Sequence, residues 1–294
     1  MEASQLIIYL AGQISNCYSF IHADVTNSSD LSFHLGAIGG KNEGIIQNCY
    51  SDATLASIQN ADRNNIISGI VGENMATGLV NKCISKSSLQ STSTSPGNNA
   101  LNILFLGGIV ALNHGGTIQS CYNYGEIYGT TTESAISSLL IGGITAQNKS
   151  PGLIQSCSNI GNINFIHQAT QFCYIGGISA NNQSDIISCS STDSTISGIA
   201  GENTTLCYVS GIAGINTSNI SESYNTSNIQ INSACKGNTN VGGISACNYT
   251  SSFISNCHNN GKIEASCSYT TIDNSYVLFI RRNCWIKLWL YSKL

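Results

Sequence analysis

Chemistry in a 294-residue chain must come from its nucleophiles, acids, bases and metal ligands, and here these are 13 Cys, 5 His and 15 Asp plus Glu. A polysaccharide lyase or glycosidase of the β-helix kind would need carboxyl groups clustered on one face, a glycosidase pair lying about 5–9.5 Å apart. Glu73 and Glu202 share a G-E-N context and Glu126 lies in Y-G-E-I, yet the acidic residues recur at no single place along the chain. A zinc peptidase needs H-E-x-x-H, and none of His22, His34, His114, His167 or His258 is followed by Glu. No C-x-x-C pair anchors a zinc site, and no G-G-x-G-x-D run offers calcium a site. The sequence therefore reads as non-catalytic, with no metal site and no small-molecule cofactor. Its histidines read as solvent-facing corner residues.

The cysteines do recur, but as architecture. Cys49, Cys83, Cys121, Cys157, Cys189 and Cys257 each stand 11 to 13 residues after the Ile of a phrase Gly-(Gly/Ala)-Ile-x-(Gly/Ala)-x-Asn, and Ser223 fills that slot once. The Ile falls at Ile38, Ile70, Ile109, Ile144, Ile178, Ile212 and Ile244, in steps of 32, 39, 35, 34, 34 and 32 residues. Four positions on stand Asn42, Asn74, Asn113, Asn148, Asn182, Asn216 and Asn248. A period of this size marks a solenoid built by stacking one unit. In-register stacking puts like side chains about 4.8 Å apart. At that spacing parallel Cys side chains do not converge as a disulfide requires, so the repeated cysteines predict a buried thiol ladder. The asparagines predict an amide ladder in which each side chain bonds the one above and the one below. Cys173, Cys207, Cys235, Cys247 and Cys267 lie off the thiol ladder, and irregular pairs among them stay open.

Elements that could hold such ladders must be short strands. In Leu106–Gly129 the pattern predicts three, near Leu106–Ala111, Thr117–Tyr122 and Glu126–Tyr128, with Gly- and Asn-rich corners between them. Within Thr117–Tyr122, Cys121 is expected to point inward through a local bulge. The fold class is thus all-β, a right-handed parallel β-helix with one three-stranded coil per repeat of about 34 residues. Helical repeats of similar period are excluded, because each unit carries several Gly, many β-branched residues and no runs of good helix formers.

Composition agrees. Only 9% of residues are charged and the net charge is -4, against roughly 25% charged in an average domain, so neither nucleic acid nor an anionic membrane is an implied partner. No stretch approaches the 18 or so apolar residues of a membrane-spanning helix. The N-terminal MEASQLIIYLAGQ lacks the basic flank of a signal peptide, and I-S-N-C-Y at 14–18 is already the second half of a repeat, as in a fragment of a longer array.

The repeats start near 35, 67, 106, 141, 175, 209 and 241, after a partial one at 10–34, so residues 1–274 read as a single solenoid. Ser85–Ala100 reads as a flexible low-complexity loop. Ser197–Asn203 mimics the phrase at Ser210–Asn216, and the second is taken to begin the coil. Residues 275–294, with both tryptophans, read as a non-repeat tail or cap. Eight Asn-x-Ser/Thr sequons are expected from composition alone, and four of them begin at ladder asparagines.

Gly69-Ile70-Val71-Gly72 and Gly211-Ile212-Ala213-Gly214, each followed by x-Asn, resemble the GLUG motif of large bacterial surface proteins and some protist proteins, with Ile in place of Leu. The resemblance covers about residues 10 to 265 and brings no catalytic residues. It implies a cell-surface or secreted module, an adhesin or structural stalk whose partner is a host or cell-surface protein or glycan. A carbohydrate-binding or polysaccharide-degrading β-helix, or the spacer of a larger surface peptidase, is the alternative.

Overall fold

The computed structural model describes residues 7–8, 12–28, 32–60, 63–94, 102–133, 137–268 and 278–281. Their regular structure is all β: five parallel sheets, each eight strands deep, stacked as a β-solenoid. At the usual strand spacing, eight strands make a stack about 34 Å tall. One coil shows the plan. Its strands are Ile103–Gly107, Val110–His114, Thr117–Gln119, Tyr122–Asn123 and Ile127–Thr131, here called sides one to five. Register is strict from coil to coil, so Asn74 pairs with Asn113 and Asn113 with Asn148 on side two.

The coil has five sides where the sequence suggests three, for two local reasons. The run Leu106–Ala111 is broken at Gly108-Ile109 into sides one and two. The run Thr117–Tyr122 is broken at Ser120, whose φ of 52° is left-handed. Asn48, Lys82, Ser156, Ser188, Glu222 and Asn256 hold the same place with φ between 51° and 53°. That residue, and not a bulge, turns Cys121 inward after Ile118, so that both are fully buried. A left-handed conformation costs a non-glycine residue about 1–2 kcal/mol, so each coil needs something to hold its kink.

Two apolar cores run the length of the stack. One lies between sides one and five and contains Leu104, Leu106 and Ile127; the other lies inside sides two and three and contains Ile109, Val110, Ile118 and Cys121. Residues alternate across a strand, so Phe105 faces the opposite way from Leu104 and Leu106. It is buried nonetheless, in a third cluster with Ile66, Leu140, Tyr174, Ala111, Ala146 and Ala180. Sides one and two therefore fold toward each other on their outer faces and close a notch. The small fifth residue of the repeated phrase lies in that notch, which explains why it is Gly or Ala.

Ser88–Ser93, expected in a loop, is a side-five strand paired with Thr54–Gln59. Its Ser91 and Ser93 side chains face the interior, where Ser91 and Ser57 hydroxyls bond at 2.7 Å. Of the two similar phrases, Ala213–Asn216 lies on side two and Thr195–Ala200 on side five. Gly198 is small for a different reason there: a Cβ on it would lie 2.4 Å from the Phe165 ring. The segment 275–294 lies outside the described residues except for Leu278–Arg281, which extends side one beside Asn238–Gly242.

Candidate functional site

Three polar columns run along the axis. On side two, each amide Nδ2 donates to the next Oδ1, from Asn42 through Asn74, Asn113, Asn148, Asn182 and Asn216 to Asn248, at 2.8–2.9 Å throughout. Asn42, Asn74, Asn113, Asn216 and Asn248 also tie down their own chain: Asn113 Nδ2 donates to Gly116 O at 2.8 Å and Asn216 Nδ2 to Ser218 O at 2.7 Å. All but the last, exposed Asn248 are fully buried. An unpaired buried amide would cost about 1–3 kcal/mol, and the column leaves none of these unpaired.

The second column explains the cysteines. The thiols of Cys49, Cys83, Cys121, Cys157, Cys189 and Cys257 each donate to the carbonyl two residues back, at 3.1–3.4 Å, across the left-handed residue. Each sulfur of Cys121, Cys157 and Cys189 also accepts the backbone N–H of the cysteine one coil earlier, at 3.4–3.5 Å. Ser223 makes the same two bonds with its hydroxyl, donating to Ser221 O at 2.8 Å and accepting from Cys189 N at 3.0 Å. What the slot requires is a small side chain that both donates and accepts. Among the described residues no disulfide joins two cysteines, not even Cys173 and Cys207, which are register partners on side one. Burial pushes the Cys121, Cys157 and Cys189 thiols well above their ordinary pKa, which leaves them protonated and unreactive.

A third column was missed in the sequence. Ser51, Ser85, Asn123, Asn159, Ser191, Asn225 and Asn259 stack on side four, fully or almost fully buried. Asn123 Nδ2 donates to Asn159 Oδ1 at 2.8 Å, and Asn225 Nδ2 to Asn259 Oδ1 at 2.6 Å. Its signal was present as Cys-x-(Asn/Ser), two residues past the thiol ladder. This column packs against the second Gly of the phrase. A Cβ on Gly108 would lie 2.1 Å from the Gly143 carbonyl oxygen and 2.4 Å from Asn123 Cγ.

The titratable groups are dispersed. Glu73 reaches His34 across the notch, with 3.6 Å between Oε1 and Nδ1. Glu126 accepts from Asn164 Nδ2 at 2.6 Å beside side five, and Glu202 sits on the turn after it. The three carboxylates are not brought together. The histidines are not all solvent-facing, contrary to the corner reading. His34 and His114 are partly buried in the notch, where burial lowers the pKa of both. His167 is fully buried, because the Thr131 hydroxyl and the Gln171 carbonyl give its ring nitrogens partners at 2.9 and 3.3 Å. Among the described residues, no three His, Cys, Asp or Glu side chains are grouped to hold a metal ion.

Two outer faces carry aromatic or polar rows. On side one, Phe172, Tyr174 and Tyr208 stack with centroids 4.6 and 5.4 Å apart. On side five, two rows of outward side chains flank an open furrow of about 1010 Å³ running along the axis. One row is Tyr128, Asn164, Ser197, Gln230 and Glu264; the other is Ile166, Ile199, Asn232 and Ser266. The furrow floor is the strand backbone at Phe165, Gly198 and Ile231, and the Phe165 and Ile231 side chains turn inward. Compared with protein-family models, curated proteins and solved structures, the chain matches none.

Proposed function

We propose that this chain is a non-catalytic repeat module of a cell-surface or secreted protein, acting as an adhesin or structural stalk. The observation that carries the reading is the unbroken amide column from Asn42 to Asn248, which ties seven successive coils into one hydrogen-bonded stack. Such a stack holds its outer rows at fixed spacing and can be lengthened by adding coils, which suits a stalk or a repeated binding face. The dispersal of Glu73, Glu126 and Glu202 supports the non-catalytic half of the reading, and the GLUG-like phrases support the surface location.

Antibodies to the purified chain, applied to intact source cells, test it. Labelling of unpermeabilised cells, or of the culture medium, is the expected result; labelling that needs permeabilisation contradicts it. Cleavage of pectin or alginate that is abolished by Glu73→Gln or Glu126→Gln would overturn the non-catalytic assignment.

A further inference from the structure

We infer that the side-five furrow binds an uncharged oligosaccharide lying along the solenoid axis, an inference that deepens the surface-module reading and rests on it. The lateral faces of the stack offer a partner no free backbone, because strand N–H and C=O groups are consumed by the neighbouring coils. Strand addition by a peptide is therefore shut out, and recognition has to use side chains.

Those side chains are of the kinds that match a sugar. Gln230 Nε2 is engaged by Glu264 at 3.2 Å, which leaves its Oε1 toward solvent as an acceptor. Asn232 Oδ1 accepts from the Ser266 hydroxyl at 2.7 Å, which leaves its exposed Nδ2 as a donor. Acceptor and donor face each other across the furrow on one strand, two residues apart. Beside them Ile199 is 45% exposed, and with the Tyr128 ring it supplies apolar surface for the C–H faces of sugar rings. Apolar lining with a few fixed polar groups is the general make-up of a small-molecule site.

Charge selects among glycans. Among the described residues, the charged ones lining the furrow are Lys262 and Glu264, and they pair at 2.5 Å. A polyanionic sugar would find no unpaired cation there. The furrow crosses five consecutive strands of side five, a length of about 19 Å at the usual spacing. That suits a short oligosaccharide better than a single sugar.

Affinity electrophoresis of the full chain tests this, through gels containing galactomannan, xyloglucan, mixed-linkage β-glucan or dextran, with polygalacturonate as the acidic comparison. Retardation by at least one neutral polymer and none by polygalacturonate is expected. Tyr128→Ala with Gln230→Ala should weaken that retardation at least tenfold, at an unchanged melting temperature. Gln119→Ala with Gln155→Ala, on the outer face of side three, should leave it unchanged. No retardation by any neutral polymer, retardation by polygalacturonate alone, or equal loss in both double variants would overturn the inference. Any of these, with surface labelling intact, would sink the furrow without touching the surface-module reading.

Discussion

The backbone N–H of Cys189 donates to the Ser223 hydroxyl at 3.0 Å, where the neighbouring coils place a thiol. One column thus accepts sulfur or oxygen, because its task is to hold the left-handed residue before it. The thiol or hydroxyl clamps the carbonyl two residues back and caps an amide one coil earlier.

Cys157→Ser should therefore cost little, about 1 kcal/mol or less, since the hydroxyl can repeat both bonds. Cys157→Val keeps the apolar volume but strands the Cys121 N–H that Cys157 now satisfies, and it removes the thiol's bond to the Gln155 carbonyl, which keeps only the Ser120 N–H. One unpaired buried N–H, at about 1–3 kcal/mol, together with the lost clamp makes it the worse variant. Urea midpoints of the two variants, with unchanged slope, check the order; valine equal to or better than serine would refute the clamp.

The two glycine positions of the phrase should separate just as sharply. A Cβ on Gly143 meets the Gly177 carbonyl oxygen at 2.1 Å and Asn159 Cγ at 2.3 Å. Gly143→Ala should lower stability by about 1–3 kcal/mol or more, and Asn159→Ser should not rescue it, because the closest atom is backbone. Gly214 lies in the notch, where Ala111, Ala146 and Ala180 hold the equivalent place in other coils. A Cβ on Gly214 would lie 2.7 Å from the Ala180 carbonyl oxygen, a milder overlap than at Gly143, so Gly214→Ala should cost less. Thermal denaturation of the three variants decides it.

Acid should weaken the stack through His167. Burial lowers its pKa from 6.5 to about 4. The Gln171 carbonyl can only accept, so Nε2 carries the proton and Nδ1 accepts from the Thr131 hydroxyl. That hydroxyl already accepts the N–H groups of Gln168 and Ala169, so a second imidazole proton finds no acceptor. The unfolded chain binds this proton from pH 6.5 downward and the folded chain only near pH 4. Stability is therefore full above pH 6.5 and falls as pH drops through that window, by about 3 kcal/mol in all. His34 and His114, whose pKa values are also lowered, add loss of the same sign. Melting curves from pH 7 to 4 should show a shallower acid slope for His167→Gln; a slope identical to the parent chain would contradict this.

The period exposed both the amide and the thiol positions, because a stack forces like residues onto like. Features set within one coil were harder to see. Lys82, Ser120 and Glu222 are not residue types that announce a left-handed corner, so five sides looked like three. Ser88–Ser93 reads as a loop by composition, yet an interior that accepts hydroxyl columns makes it a strand. Notch burial of Phe105 and His34 depends on two outer faces closing together, which no single strand's alternation records. His167 is buried only because Thr131, in the preceding coil, stands ready to bond it.

The account rests on adjacent coils touching through like side chains, and Asn113 with Asn148 is the contact to measure. Their amide bond is 2.8 Å long in the buried centre of the column. A double-mutant cycle of Asn113→Ala and Asn148→Ala, read by urea denaturation, isolates that contact from the rest. The predicted coupling is about 1 kcal/mol or more, each single change being costly because it orphans its partner. Additive effects, with coupling indistinguishable from zero, would contradict an in-register amide column and the stacked architecture with it.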